Sequence, residues 1–188
     1  MMDKEIKKAV EVLKSGGVIV YPTDTIWGIG CDATNSKAIK KIHDIKRRVE
    51  EKTMIILVSH SDEIANYVSH VPDAAYDLID TWQKPLTIVY KGAKNLAQNL
   101  VRDNDTVAIR VSKDDFSQKL IKAFGKAIVS TSANESGNPS PIFYKDIDNY
   151  ILENADYVVG LYHSTMNVIK PSTIIEIEDS GSFRIIRS

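Results

Sequence analysis

Apolar and polar residues recur along the chain with the periods of helices and of strands, and the two periods alternate. Four apolar residues at helical spacing predict an amphipathic helix over residues 3–15. The apolar, β-branched run at 18–21 then predicts a short buried strand, which Pro22 ends because proline cannot donate to a ladder. Asn35 or Ser36 begins a second amphipathic helix.

The later segments predict a sheet that contains both parallel and antiparallel strands. The run 53–58 is apolar on both faces, which indicates an internal strand. Residues 106–111 alternate, so Arg110 is expected on the face opposite to the neighbouring valines. Further strands are expected at 86–91, 127–129, 157–159, 172–177 and 183–187, and further helices from 61, at 72–82, at 114–124 and at 147–151. The last two strands have the pattern of a hairpin, so we expect an α+β fold with a mixed sheet in one domain, residues 1–188.

The composition is that of a globular protein and argues against several classes. The 188 residues are 43% hydrophobic and 26% charged, and a formal net charge of −1 argues against a nucleic-acid-binding surface that covers the whole protein. No apolar run has the length of a membrane span, and the N-terminus lacks the apolar region of a secretory signal. The single cysteine, Cys31, excludes an internal disulfide and fits a reducing compartment. We therefore expect a cytoplasmic protein without a membrane partner.

The polar connection after the first predicted strand is the first candidate site. Thr23, Asp24 and Thr25 follow that strand directly. Gly28 and Gly30 come next, where the backbone must turn tightly or approach another group closely. Strands that end in small polar groups and glycines often present ligand sites. A polar turn between two strands explains the same residues, so both interpretations stay open.

Two further segments carry side chains suited to phosphate. Lys46, Arg48 and Lys52 lie where the second helix gives way to a connection before a strand. There lysine offers a point charge and arginine a planar fork. Residues 130–137 combine hydroxyls, an amide and a glycine at a strand end, and such groups bind phosphate or sugar oxygens. The alternative for both segments is an ordinary solvated surface.

Several familiar motifs are missing or lack their structural context. Residues 28–33 fit G-x-G-x-x-A, but they are not placed directly between a strand and a helix, as dinucleotide binding requires. There is no P-loop motif, and the four histidines show no metal-ligand spacing with Cys31 or with each other. No histidine base can be assigned to Ser130 or Ser132 for a serine hydrolase. We therefore expect no metal held by the protein itself.

Taken together and in order, the polar segments resemble the YrdC/TsaC family. Six motifs occur in the family's order and spacing over nearly the whole chain. They are YPTDT at 21–25, GIGCDA at 28–33, K-x-R at 46–48, PLT at 85–87, AIRV at 108–111 and STSANESG at 130–137. The resemblance implies a single domain of the family's short form, with a twisted mixed sheet flanked by helices around a concave basic cavity.

The same resemblance implies an activity. Members of the family are threonylcarbamoyl-AMP synthases, a kind of nucleotidyltransferase. They use ATP with Mg²⁺, L-threonine and bicarbonate, and they release pyrophosphate. The product feeds the threonylcarbamoyl modification of tRNA, so the tRNA-modifying transfer machinery is an expected partner.

Roles for individual residues are also implied by the resemblance. The positions that match the family's quartet around the nucleotide are Lys46, Arg48, Ser132 and Asn134. Further ATP contacts are implied at Lys52, Thr106 and Ser130. L-Threonine is expected at Thr23 and Arg110, and the catalytic pair is Lys46 and Arg48. If this pair serves one site, residues 46–48 form an extended, non-helical run with Arg47 on the other side.

The sequence departs from the family pattern in three places. Val49 stands where proline usually follows the K-x-R motif, and Gln83-Lys84 replaces the usual Pro-Gly before Pro85. Ser188 replaces a common Pro-Gly at the C-terminal end. These departures leave open a divergent, non-catalytic paralogue that binds tRNA or double-stranded RNA in the same cavity. The low net charge and the absence of an RNA-binding motif favour the enzyme.

Overall fold

The computed structural model describes residues 1–47, 54–163 and 171–188. A single mixed β-sheet forms the centre of the fold in these ranges. Its strands within these ranges are β1 (Ile19–Tyr21), β2 (Gly28–Asp32), β3 (Ile55–Val58), β4 (Leu86–Lys91), β5 (Thr106–Val111), β6 (Ile128–Ser132), β7 (Tyr157–Val158), β8 (Thr173–Ile177) and β9 (Phe183–Arg187). They are ordered β7-β1-β2-β6-β3-β5-β4-β8-β9. The pairs β1/β7, β3/β5 and β4/β8 are parallel and the others antiparallel, which confirms the predicted mixed sheet.

The predicted helices are confirmed, with short 3₁₀ helices among them. The α-helices are α1 (Met2–Lys14), α2 (Ser36–Ile45), α3 (Asp73–Thr81), α4 (Asp115–Phe124) and α5 (Asn149–Asn154), and the 3₁₀ helices are Ser61–Asn66 and Tyr144–Asp146. Asn35 caps α2, since its side chain accepts hydrogen bonds from two backbone N–H groups of the first turn. Asp114 caps α4 in the same way, and Gly125, with a φ of 82°, ends it. In the part of the chain that the structure describes, no helix has the length and apolar character needed to cross a membrane.

Alternation along the strands separates two apolar cores on opposite faces of the sheet. On one face, Leu57 and Ile128 pack with α1 and α4 in a cluster that includes Phe116. On the other face, Ile109 and Val129 belong to the larger core that also contains the apolar face of α2. Neighbouring residues on β5 and β6 therefore point to different faces, and the even-numbered ones share the face that carries α1 and α4.

The strand β2 is the element that the sequence pattern does not predict. It pairs antiparallel with both β1 and β6, and Gly28 and Gly30 lie within it. A Cβ added at Gly30 would lie 2.3 Å from the carbonyl oxygen of Val129 and 2.9 Å from the Tyr21 ring. Of the two alternatives predicted for these glycines, the close approach to another group is confirmed. The tight turn is wrong, because both residues lie within a strand. Glycine has low strand propensity, which conceals the strand.

The chain turns sharply where α2 ends. Lys46 keeps a helical backbone, with φ −79° and ψ −2°, whereas Arg47 has a φ of 47°. The N–H of Arg47 donates to the carbonyl of Asp44, so the left-handed residue closes the helix. The predicted end of the helix and the non-helical course of Lys46 and Arg47 beyond it are confirmed, but the predicted extended conformation is wrong, because these two residues form a turn. Arg48 and Lys52 lie outside the described residues.

The close pairing of β2 with β6 predicts a specific cost for a side chain at Gly30. We expect Gly30→Ala to lower the free energy of unfolding by about 2–3 kcal/mol, because the clash is with backbone that cannot move independently. Gly28→Ala is the matched control on the same strand. Its nearest neighbours, at 3.1 and 3.3 Å, are side-chain atoms of Thr23 and Ser130, so a cost under about 1 kcal/mol is expected. Urea unfolding measures the free energy of unfolding of both variants. Equal losses would contradict the close approach at Gly30 as the cause.

Candidate active site

A cleft of about 260 Å³ opens on the sheet face that carries α1 and α4. Five parts of the chain line it: the β1–β2 connection, the turn after α2, the start of β3, the ends of β5 and β6 with the loop to residue 140, and the β8–β9 hairpin with the two residues before it. These parts are distant in sequence and meet because the sheet order places β2, β6, β3, β5, β4 and β8 side by side.

Strand alternation determines which side chains of the sheet reach the cleft. Ser130 and Ser132 on β6 lie on the same face as Arg110 on β5, and all three line the cleft. Gly28 is the strand partner of Ser132. A side chain at Gly28 would lie within 3.3 Å of the Ser130 hydroxyl, so the glycine leaves space beside both serines.

The β1–β2 connection forms one wall through a chain of hydroxyl groups. Thr23 Oγ1 donates to the carbonyl of Ile26 at 2.7 Å and lies 3.0 Å from Thr25 Oγ1. Because the Thr23 hydroxyl proton is used in this way, Thr25 donates to Thr23 in that pair. The backbone N–H of Thr25 also donates to Thr23 Oγ1, at 3.1 Å. The interpretation as a polar turn between two strands is confirmed. The segment also lines the cleft, and its role as a ligand site stays a prediction.

Of the two arginines in the described lining of the cleft, Arg110 is the more deeply buried. It is only 4% exposed, and its Nη2 lies 3.1 Å from Oδ1 of Asp24, which is also nearly buried. Its Nη1 donates to Thr25 Oγ1 in a long hydrogen bond of 3.4 Å. The predicted projection of Arg110 away from the neighbouring valines is confirmed, because Val107 and Ile109 lie in the core on the other face.

Lys46 ties the turn after α2 to the loop after β6. Its side chain is 2% exposed, and its Nζ donates to the carbonyls of Ser132 and Asn134, the latter at 2.6 Å. The Lys46 carbonyl accepts in return from the N–H of Ser136 at 3.0 Å. The amide of Asn134 donates to the carbonyl of Asn138 at 2.6 Å, which closes the loop on itself. Lys46, Ser132 and Asn134 are thus brought together, with the lysine bonded to backbone of the other two.

Ser172 and Arg187 are among the cleft residues that are absent from the sequence prediction. The Ser172 hydroxyl lies 2.8 Å from that of Thr87, and Arg187 Nη2 donates to the Ser172 carbonyl at 2.9 Å. Burial, and then the charge of Arg110, lower the pKa of Arg187, and both arginines line the cleft. A bulge in the β8–β9 pairing brings Arg187 opposite Ile174. The alternation of residues along β9 therefore does not predict that Arg187 reaches the cleft.

One predicted site residue, Thr106, lies away from the cleft, and two more, Arg48 and Lys52, lie outside the residues that the structure describes. Thr106 shares the face of Arg110 but lies four residues earlier on β5, roughly 13 Å along the strand. It is buried, it does not line the cleft, and its hydroxyl donates to Asn104 at 2.7 Å. Its ATP contact stays a prediction, and so do those of Arg48 and Lys52, which the structure does not describe.

The composition of the cleft indicates the ligands it suits. Its described lining holds three cations, Lys46, Arg110 and Arg187, together with several threonine and serine hydroxyls and one amide, and it holds no carboxylate. Within the described ranges, no three His, Cys, Asp or Glu residues lie close enough to hold a metal ion. Guanidinium groups and small donors bind carboxylates and phosphates. The site is thus a cleft for anionic, oxygen-rich ligands at one end of a mixed sheet.

The family is shown by comparison with known sequences. The model of the Sua5/YciO/YrdC family, described as "Telomere recombination", matches residues 11–188. A threonylcarbamoyl-AMP synthase from Pseudoalteromonas translucida is 32% identical over 182 residues, which are 95% of this chain and 96% of that protein. A putative threonylcarbamoyl-AMP synthase from Methanocaldococcus jannaschii is 35% identical over 182 residues, 94% of this chain and 84% of that one. The chain belongs to the Sua5/YciO/YrdC family.

Solved structures agree with this assignment. The chain superposes on Escherichia coli YciO with a TM-score of 0.86 and 25% identity, over 100% of this chain and 90% of that one. It also superposes on Pyrococcus abyssi Sua5 complexed with L-threonine, with a TM-score of 0.81 and 25% identity, over 94% of this chain. That match covers 52% of the Sua5 chain, so this protein spans about half its length.

The contacts of Lys46 predict that it supports the loop as well as the site. We expect Lys46→Met to lower the free energy of unfolding by about 2–3 kcal/mol, because two buried carbonyls lose a charged donor. Arg47→Ala is the matched control next in sequence, since its side chain is 62% exposed, and its cost should stay under about 1 kcal/mol. Urea denaturation followed by circular dichroism provides the comparison. A Lys46→Met protein as stable as the wild type would contradict this role.

Proposed function

We propose that this protein is an L-threonylcarbamoyladenylate synthase, which converts ATP, L-threonine and bicarbonate to threonylcarbamoyl-AMP and pyrophosphate. The observation that carries the proposal is the near-complete match to relatives named threonylcarbamoyl-AMP synthase. These relatives are enzymes, and the finer assignment to the nucleotidyltransferases follows from the adenylate transfer itself. The cleft supports the proposal, because each of the three substrates is an anion or carries a carboxylate or phosphate group.

The amino-acid half of the reaction is assigned to the wall formed by the β1–β2 connection and β5. Arg110 binds the threonine carboxylate, since a guanidinium fork matches the two carboxylate oxygens. Thr23 lies on the same wall, and its buried hydroxyl group faces the polar network described above. The Sua5 structure named above contains L-threonine, which is consistent with an amino-acid site in this fold.

The nucleotide half is assigned to β6 and the segments that meet its end. Ser130 and Ser132 present hydroxyl groups to the cleft, and Asn134 continues the same wall. Lys46 adds a positive charge at this wall and holds the backbone that carries them. Lys52, Arg48 and Thr106 complete the proposed ATP contacts, with Lys46 and Arg48 as the catalytic pair.

The chemistry requires positioning and charge neutralisation more than a protein nucleophile. The threonine amine and bicarbonate combine, with loss of water, to a carbamate. A carbamate oxygen then attacks the α-phosphorus of ATP, and the bond from that phosphorus to the bridging oxygen breaks as pyrophosphate leaves. Negative charge accumulates on the phosphoryl oxygens, where fixed cations and hydroxyl donors stabilise it. Mg²⁺ accompanies ATP as its counter-ion.

The fate of the product follows from its chemistry. Threonylcarbamoyl-AMP is a mixed anhydride that transfers its acyl group readily, so a second enzyme must consume it. We propose that this is the machinery that modifies tRNA with the threonylcarbamoyl group. The protein studied here then supplies the activated intermediate and does not itself need a surface that reads RNA.

An RNA-binding paralogue without catalysis remains the rival function. Sequence-tolerant binding of single strands depends on aromatic side chains on which bases stack. The described lining of the cleft contains no phenylalanine, tyrosine, tryptophan or histidine. A thermal-shift comparison discriminates the two functions, because ATP with threonine should stabilise the synthase and RNA should not.

The proposed reaction predicts that pyrophosphate release depends on both small substrates. We expect release from ATP only when threonine and bicarbonate are both present, because the attacking group is the carbamate that the two form. A coupled phosphate assay with each component omitted in turn measures this dependence, with L-serine as a matched control for threonine. Release that persists without threonine or without bicarbonate would indicate a plain ATPase and end the proposal.

A second prediction concerns the carboxylate contact of Arg110. We expect Arg110→Lys to raise the KM for threonine about tenfold or more and that for ATP by less than about twofold, because lysine keeps the charge but loses the planar fork. Steady-state kinetics of pyrophosphate release give both constants. An equal rise in both would indicate a structural role for Arg110 instead.

A further inference from the structure

Asp24 lies directly behind Arg110 and outside the cleft. Its side chain is nearly buried, and Oδ1 lies 3.1 Å from Nη2 of Arg110. Oδ2 accepts a long hydrogen bond, of 3.4 Å, from the backbone N–H of Lys113, which follows β5. Thr23, Thr25 and Arg110 line the cleft, whereas Asp24 does not. Asp24 is therefore placed to act on a ligand through Arg110.

The contact between Asp24 and Arg110 depends on the attraction of opposite charges more than on hydrogen-bond geometry. No well-directed hydrogen bond reaches Asp24 Oδ1, so the 3.1 Å approach is an ion pair. Both side chains are less than a tenth exposed, and attraction between opposite charges is strong where water is excluded. The carboxylate therefore restricts where the guanidinium can lie while it leaves the hydrogen-bonding groups of Arg110 adjustable.

Thr25 is the second residue that contacts the Arg110 guanidinium, and the surrounding hydrogen bonds determine that its hydroxyl oxygen is the acceptor. Its hydroxyl proton is donated to Thr23, since the Thr23 proton goes to the Ile26 carbonyl. Thr25 Oγ1 therefore offers only lone pairs to Arg110, whose Nη1 donates to it at 3.4 Å. Each terminal nitrogen of the guanidinium thus has one neighbour in the β1–β2 connection. Its Nε, also buried, has no hydrogen-bond partner among the described residues.

We propose that Asp24 is a positioning residue that orients the Arg110 guanidinium toward the carboxylate of the amino-acid substrate, with the Thr25 hydroxyl as the second support. This inference rests on the proposed function, since it names what holds the residue that binds threonine. The buried ion pair keeps the arginine from turning to other acceptors. The second N–H of each terminal nitrogen of Arg110 then stays available to the ligand.

A different role for Asp24 makes the opposite prediction. If the carboxylate served only to neutralise a buried charge, its negative charge would repel the substrate carboxylate. Removal of that charge would then tighten threonine binding. If Asp24 positions Arg110, removal weakens threonine binding, because the fork is no longer held in place.

The test compares kinetic constants for threonine and ATP in a set of variants. Asp24→Asn keeps the shape and removes the charge, and we expect it to raise the KM for threonine about tenfold while that for ATP changes by less than about twofold. Asp24→Glu restores the charge and should recover part of the loss. Asp114→Asn is the matched control, a substitution of a nearby buried carboxylate that bonds Ser112 and Ser117 and not Arg110. It should leave the ratio of the two KM values at the wild-type value.

A double-mutant cycle shows whether Asp24 acts through Arg110. In the Arg110→Lys background, Asp24→Asn should change the KM for threonine by less than about twofold, because coupled residues do not add. If Asp24→Asn does not fold, Thr25→Val tests the second support and should raise the KM for threonine about threefold.

Three results of these assays would overturn the inference about Asp24. Equal rises in both KM values, full additivity in the cycle, or tighter threonine binding by Asp24→Asn would do so while the synthase reaction itself stood. A wild-type protein that releases no threonine-dependent pyrophosphate would instead end the proposed function, and this inference with it. The two failures are therefore distinguishable in one set of assays.

Discussion

The close pairing of β2 with β6 is the constraint on which the rest of the structure depends. The backbone of β2 approaches β6 so closely at Gly30 that no Cβ fits between them. This pairing determines the face on which Ser130 and Ser132 lie, and it places the end of β6 beside the β1–β2 connection. The loop after β6 and the turn after α2 then meet, where Lys46 bonds the loop carbonyls. The cleft thus depends on Gly30, which lets β2 pack closely against β6.

The cations of the cleft are compensated in three different ways. A carboxylate lies behind Arg110, backbone carbonyls accept from Lys46, and Arg187 donates to the carbonyl of Ser172. Burial of a charge is costly without such partners, and carbonyl dipoles compensate it only in part. Burial, and then the charge of Arg110, lower the pKa of Arg187. An anionic ligand in the cleft adds compensating negative charge, which is the electrostatic basis of the proposed substrate class.

Much of the fold is predictable because its signals are local. Helical periodicity, the start of α2 at Asn35 and the alternation around Arg110 each depend on neighbouring residues, and each is confirmed. The strand β2 escapes prediction because its glycines carry no periodic signal, and their reason for being glycine is a contact with Val129 on another strand. The extended run expected from Lys46 is wrong because Arg47 adopts a left-handed conformation that closes α2.

The sequence by itself determined the family, the order of the described helices and strands except β2, and the types of polar residue available for a site. Those properties follow from spacing and from side-chain chemistry. The tertiary structure decided which of these residues meet. It brought Ser172 and Arg187 into the cleft through a bulge that alternation cannot reveal, and it left Thr106 on the right face but at the other end of its strand. It also placed Asp24 behind Arg110, 86 positions apart in the numbering. Contacts of this kind depend on strand order and register, which are set by packing across the whole sheet and by no local pattern.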